Sequence, residues 1–471
     1  MTFMKDLQDL NPNPLTKKQY FVVSSMLFGL FFGAGNLIFP IHLGQLAGSH
    51  WVLATVGFLV TAVLLPLLSV LAVAVTRSEG VYDIGVPLGP VFALVFMVLI
   101  HLTIGPLFGT PRTATVPFTV GVQPMIPASW AHVGLFVFSV LFFGAAFLVS
   151  YHQSNVMSSV GKILNPLFLL LLFSVFLMGF VHPMGTASSQ TATAAYQHAG
   201  FFNGFLQGYN TMDALAGLAF GVTVVTAVRQ LGKTRPSSNA KVTAKAGVLA
   251  TGMIGLIYVV LVWLGATTLA NFHVSADGGV AFNQLVSYYL GGVGHALLAT
   301  LLTVTCLTTA VGLVAAFAQD FHKHFPKVSY HTWLALTCLA SFLTANFGLD
   351  QIILWSTPML MFLYPFAMVL ILLSVTSPLF NRDPLVYAFV VGFTTVPAFL
   401  DMVAAFPPVV SQSAFGQMLG VFQHSVLPFV NLGMDWVVPA LIGAVVGLGL
   451  HFLRPVFARQ HQASSENVSD K

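Results

Sequence analysis

Three short stretches hold the residues of this chain that could do chemistry. The first is Gly29-Leu30-Phe31-Phe32-Gly33-Ala34-Gly35-Asn36, followed by Pro40. Glycine costs about 1 kcal/mol relative to alanine inside a helix, and asparagine bonds its own neighbouring backbone instead. The stretch therefore predicts a helix that unwinds and leaves bare peptide groups. The other reading is a helix-packing face, because Gly29 and Gly33 have the close-packing spacing of small residues. The second stretch, Gly208-Tyr209-Asn210-Thr211-Met212-Asp213-Ala214 with Gly217 and Gly221 beyond it, is the most polar inside any apolar run. Here Asp213 either caps a second half-helix or meets a cation directly. The third stretch carries Thr303, Thr305, Thr308 and Thr309, of which the last three share one helical face. Their hydroxyls can bond back to their own helix. They can also join carbonyls of the first stretch in a cage of neutral oxygens for a weakly held ion such as sodium.

Those stretches must be positioned by a chain that is 57% hydrophobic and 6% charged over 471 residues. A soluble protein carries roughly 25% charged residues, so an ordinary cytosolic enzyme, a nucleic-acid binder and a disordered chain are all excluded. A spanning helix needs roughly 20 mostly apolar residues. Twelve runs qualify, at about 20–46, 51–76, 88–110, 132–151, 163–182, 203–228, 243–271, 291–319, 332–346, 351–376, 386–404 and 437–455. The ninth is short and could form a hairpin with the tenth. The fold class expected is an all-α integral membrane protein with about 12 transmembrane helices. Basic residues collect on the cytoplasmic side of membrane proteins. With the N-terminus inside, alternation places 16 of the 17 lysines and arginines in cytoplasmic loops or tails and leaves only Arg112 outside. No removable leader is expected, since no small-residue cleavage site precedes the first run.

The outer loop at 183–202 divides the spans into two sets of five. An odd number of spans per repeat inverts the second copy, which is the arithmetic of a five-plus-five inverted repeat with broken first and sixth helices. The expected segments are 1–19 (cytoplasmic), 20–182 (first repeat), 203–376 (second repeat), 386–455 (two added helices) and 456–471 (a cytoplasmic tail, unstructured from Gln460). Half-helix N-termini suit a carboxylate, and half-helix C-termini with unwound carbonyls suit an ammonium or small cation. Two breaks together therefore suit a zwitterion, and an α-amino acid is the natural ligand class. Phe31, Phe32, Phe205 and Leu313 are candidates for its apolar pocket because they lie near the breaks or the threonine face.

Other signals are weaker. His101 lies inside the third run as a packed residue or a proton carrier, Asp320 sits at the cytoplasmic end of the eighth, and Asp401 lies away from the expected site. Cys306 and Cys338 are too few for a disulfide framework. The 15 histidines are dispersed, without the clustering of an enzyme or metal centre. A membrane-embedded enzyme or sensor, and a channel, are therefore weaker readings than a carrier.

The run Phe28-Gly29-Leu30-Phe31-Phe32-Gly33-Ala34-Gly35-Asn36-Leu37-Ile38-Phe39-Pro40, with Gly208 to Leu215, resembles the bacterial branched-chain amino acid carriers of the BrnQ type over essentially the whole chain. The resemblance implies cation-coupled, usually sodium-coupled, uptake of leucine, isoleucine and valine across the bacterial inner membrane, with Na+ as coupling ion and no organic cofactor. It also implies a distant relation to the five-plus-five transporters. By that relation the Gly29 and Phe32 carbonyls with Thr305, Thr308 and Thr309 would hold sodium, and Asn36 would match a second cation site. Gly33, Ala34 and Gly35 would face the substrate carboxylate. With Phe31, Tyr209, Asn210, Thr211, Met212, Asp213 and Leu313 they make up the expected substrate site. A proton-coupled carrier of the same fold, using Asp213 or His101, is the alternative.

Overall fold

In lipid a chain must satisfy its backbone within each segment or within a closed barrel, and among the described residues every regular element is helical. The computed structural model describes Asp9 and residues 14–151 and 156–469; for 156–166, 236, 293 and 454–469 it describes the backbone alone. The side chains of Lys5, Lys162, Arg454, Arg459 and Lys471, which entered the count of basic residues, lie outside that description.

The first run forms α1 (Lys17–Phe31) and α2 (Gly35–Ala47). A capping box starts α1: the Thr16 side chain accepts from the Gln19 amide, and the Gln19 side chain accepts from the Thr16 amide. The second run forms α3 (Trp51–Leu59) and α4 (Leu65–Thr76), joined by a wide helical turn. The third forms α5 (Pro90–Leu102) and α6 (Gly109–Pro117). Then come α7 (Ala131–Tyr151), α8 (Val156–Val181), α9 (Ala194–Gln207), α10 (Asp213–Gln230) and α11 (Pro236–Thr268). The chain continues through α12 (Gly278–His324), α13 (Tyr330–Ala345), α14 (Leu349–Thr376) and α15 (Pro384–Ala405). It ends with α16 (Ala414–Val426) and α17 (Val437–Ser469).

The packing is reciprocal between the two sets of five. From the first set, α2 lies on α11, the second span of the other set; α9 and α10, the opening span of the second set, lie on α3 and α4. Glycines let these backbones approach. A Cβ at Gly44 would overlap the carbonyl oxygen of Val262, and one at Gly265 would overlap that of Ile41. Gly57 and Gly204 do the same between α3 and α9, against Phe201 and Ala54. Gln45 Nε2 adds a hydrogen bond to Thr268 Oγ1 at 2.9 Å, and Ser24 Oγ one to the Ala246 carbonyl at 2.9 Å. Large apolar side chains such as Val91, Leu141, Leu170, Leu256 and Val445 are exposed around the outside, as lipid-facing residues are.

Several boundaries differ from the sequence reading. The third span continues past a break at Gly105 and on to Met125. Arg112 is therefore not in an outer loop but buried inside the bundle. Pro40 sits inside α2, past its first turn, without ending it. α12 begins before the eighth run and turns at Gly291, whose φ of +60° belongs to the left-handed region. The loop between the last two spans holds α16, with Phe415, Met418 and Val421 exposed. The backbone of the tail is helical to Ser469 and not unstructured from Gln460. Asp470 lies outside the described residues.

Candidate functional site

Both expected breaks are present. α1 stops at Phe31, Phe32 is extended (φ −77°, ψ 102°), and helix resumes at Gly35. Asn36 belongs to the resumed helix and holds the break from there: its Oδ1 accepts from the Gly33 amide at 2.7 Å. The packing-face reading fails on local geometry. Nothing lies within 4 Å of a Cβ built on Gly29, and one on Gly33 would meet Thr309 only at ordinary contact distance, 3.5 Å.

In the second break, Gly208 to Thr211 make one tight turn and Met212 takes the left-handed conformation (φ 61°). The two half-helices meet at 43°. Asp213 is the first residue of α10 and not its cap; the Asp213 amide faces Thr211 Oγ1 at 3.4 Å. The carboxylate is spent on tertiary bonds instead. Its Oδ2 accepts from Asn36 Nδ2 at 2.7 Å and from the Tyr258 hydroxyl at 3.1 Å, and Asn36 Nδ2 also contacts that hydroxyl. One carboxylate thus ties the two breaks to each other and to α11. Buried and hydrogen-bonded, it meets the condition for keeping a polar group inside a bilayer.

Between the breaks lies a cavity of about 910 Å³, within the usual range for small-molecule sites. Phe31, Gly33, Ala34, Gly35, Asn210, Thr211, Met212, Asp213 and Leu313 line it, as do Gly29, Asn36, Thr308 and Thr309. Phe32, Thr305, Phe205 and Tyr209 are not among its lining residues. Tyr209 packs its ring on Tyr364 at 4.1 Å and Phe205 edge-on at 5.7 Å, and Phe32 stacks on Phe28 at 4.9 Å. These rings pack on one another next to the two breaks. The Thr308 and Thr309 hydroxyls donate to the Thr305 carbonyl at 2.7 and 3.3 Å, which is the back-bonding arrangement. Their oxygen lone pairs remain acceptors, so the same geometry offers neutral oxygens beside Gly33, a donor set that fits a small hard cation.

Sequence reasoning missed three partners. Tyr258 and Ser356 gave no signal, being a hydroxyl each in long apolar helices. Arg112 was misplaced because the third span breaks too: Gly105 is non-helical (φ −89°, ψ −121°) beside Pro106. The Gly-Pro pair and Gly109-Thr110-Pro111 were the available sign of it. Arg112 is 4% exposed and lines the cavity. It donates to the Asn210 carbonyl at 2.8 Å and to Ser356 Oγ. His101 is also buried, with Nδ1 3.0 Å from the Met97 carbonyl and Nε2 3.1 Å from Asp320 Oδ2. Asp320 is thus paired and not simply solvated. Asp401 is likewise engaged: Gln423 Nε2 donates to Asp401 Oδ1 at 2.9 Å and to Asp435 Oδ2 at 3.0 Å.

A helical bundle with a cavity between two interrupted spans is the architecture of a transporter. Solved structures with this fold include Mhp1 in an inward-facing conformation (TM-score 0.59, 12% identity, 94% of each chain). Another is MhsT in complex with L-phenylalanine (TM-score 0.51, 16% identity, 93% of this chain and 98% of that one). Residues 16–453 match the family described as branched-chain amino acid transport protein, and the chain belongs to that family. Similar proteins are the branched-chain amino acid permease BrnQ of Lactobacillus delbrueckii subsp. lactis (40% identical, 91% of this chain and 96% of that one) and BraB of Bacillus subtilis (39%, 92% and 95%). BrnQ of Escherichia coli is 36% identical over 92% of this chain and 96% of its own. The chain is a membrane transport protein and not an enzyme.

Proposed function

We propose that this protein is a secondary active symporter that imports leucine, isoleucine and valine with sodium by alternating access. In this reading it spans the bacterial inner membrane with both termini in the cytoplasm. The observation that carries the reading is the cavity bounded by both breaks, where the start of α2 faces the unwound turn before α10. The names of the relatives supply the substrate class. The amides at the start of α2 suit the carboxylate, and Leu313, Phe31 and Met212 suit a branched apolar side chain. Thr308 and Thr309, with Thr305 and the Gly29 and Phe32 carbonyls, would hold sodium, and Asn36 couples the break to Asp213. Removing Arg112 from the outer loops leaves those loops without lysine or arginine, which supports the orientation.

The cavity wall continues along Ser24, Ser25, Phe220, Thr223 and Gln319, on the halves of the helices that this orientation places toward the cytoplasm. The form described is then open inward. Sodium and substrate would shift the equilibrium between forms by binding one more tightly than the other. Labelled leucine uptake into proteoliposomes, with sodium and proton gradients imposed separately, tests the reading. A sodium gradient alone should drive accumulation. The His101–Asp320 pair supports a second reading, proton coupling, for which a pH gradient without sodium would suffice.

A further inference from the structure

We infer that Arg112 is the anchor for the substrate carboxylate, and that it makes the cavity select zwitterions over amines of the same shape. The inference rests on the proposed amino acid cargo and adds a residue to its site.

A guanidinium carries five N–H donors and stays charged in proteins. Burying it is costly unless an anion or a full set of acceptors compensates. Arg112 has neither. Among the described residues it forms no ion pair. Its acceptors are neutral, the Asn210 carbonyl and Ser356 Oγ, and its Nε–H is buried with no acceptor. One face is covered by Phe39, whose ring centroid lies 5.1 Å from Cζ, a cation–π contact that leaves the charge unneutralised. Phe39 also stands 3.4 Å from a Cβ built on Gly35. The guanidinium is therefore carried beside the N-terminal turn of α2, where the backbone already favours an anion. Arg112 and Gly35 both line the cavity, and so does Asp213. A neutral ligand would leave the buried cation uncompensated. A ligand with a carboxylate supplies the missing anion, in the planar shape that an arginine fork receives. Its ammonium then has the unwound carbonyls as partners, with the Asp213 carboxylate on the same cavity wall.

The test compares two ligands on the purified full chain by calorimetry: L-leucine, and 3-methylbutylamine, which is leucine without its carboxylate. The wild type should prefer leucine strongly. R112Q should weaken leucine by about 10- to 100-fold, the scale of a lost charge-assisted bond, while the affinity for the amine stays within about threefold. R112K, which keeps the charge without the fork, should restore part of the preference. V445A, on the exposed outer face of α17, should leave it intact. Equal weakening of both ligands in R112Q and R112K would overturn the inference and make Arg112 a tie between helices. Unchanged leucine binding in either variant would also overturn it. Failure of the underlying cargo reading looks different: the wild type itself would not bind leucine.

Discussion

Asp213 shows what one side chain does at the centre of the bundle. It sits at the start of α10, yet its carboxylate reaches away from that helix to Asn36 and Tyr258. Replacing it with asparagine keeps the size and removes the charge. Charge-assisted hydrogen bonds contribute about 1.5–3 kcal/mol, so D213N should lower leucine uptake by about tenfold or more; wild-type uptake would reduce the carboxylate to a dispensable tie. Thr308 and Thr309 make a sharper residue-scale case, because back-bonding and ion binding use opposite sides of the same hydroxyl. T308A or T309A should raise the sodium concentration for half-maximal uptake by about five- to tenfold, the scale of about 1 kcal/mol per neutral ligand. An unchanged sodium curve in both would assign the hydroxyls to the helix alone.

At the scale of elements, glycines of one type do two separate jobs. Gly44 and Gly265 permit contact between α2 and α11, and a methyl group at either would strike backbone that cannot move aside. Overpacking of this kind costs about 1–3 kcal/mol, so G44A should lower the thermal unfolding midpoint of the detergent-solubilised protein by several degrees. At Gly29 nothing stands within 4 Å, and G29A should leave that midpoint within about a degree. Equal shifts in the two variants would contradict this division of roles. The same spacing of small residues in the sequence could not separate them, because what a missing Cβ would meet belongs to a different helix.

For the whole molecule the question is which side the cavity opens to. Cys306 and Cys338 are both buried, so a single introduced cysteine reports with little background. T223C, exposed on the cavity wall of α10, should react with a membrane-impermeant thiol reagent in inside-out vesicles and not in right-side-out ones. Leucine with sodium should slow that reaction by favouring the closed form. Reaction from the outside only would invert the proposed orientation. On the cytoplasmic side of this arrangement, Lys323 Nζ meets Glu79 Oε2 at 2.8 Å and holds that carboxyl below its ordinary range. Its contribution is therefore present above the usual glutamate pKa and is lost as the pH falls through the lowered one. Both side chains are exposed, and such pairs contribute at most about 1 kcal/mol.

The sequence alone determined the membrane class, the helical elements and the site of the first break. Each follows from local properties: hydropathy over one span and the conformational cost of clustered glycines. It also placed Asn36, Asp213 and the threonine face within reach of a common site, since broken helices in corresponding positions must meet near the midplane. Tertiary structure alone decided that Asp213 is no cap, that Tyr209 packs on Tyr364 and does not line the cavity, and that Arg112 belongs inside. Those outcomes turn on which partners other helices bring, Tyr258 from α11, Tyr364 and Ser356 from α14. A side chain's partners in a bundle are set by helix rotation and crossing, which no window along the chain contains.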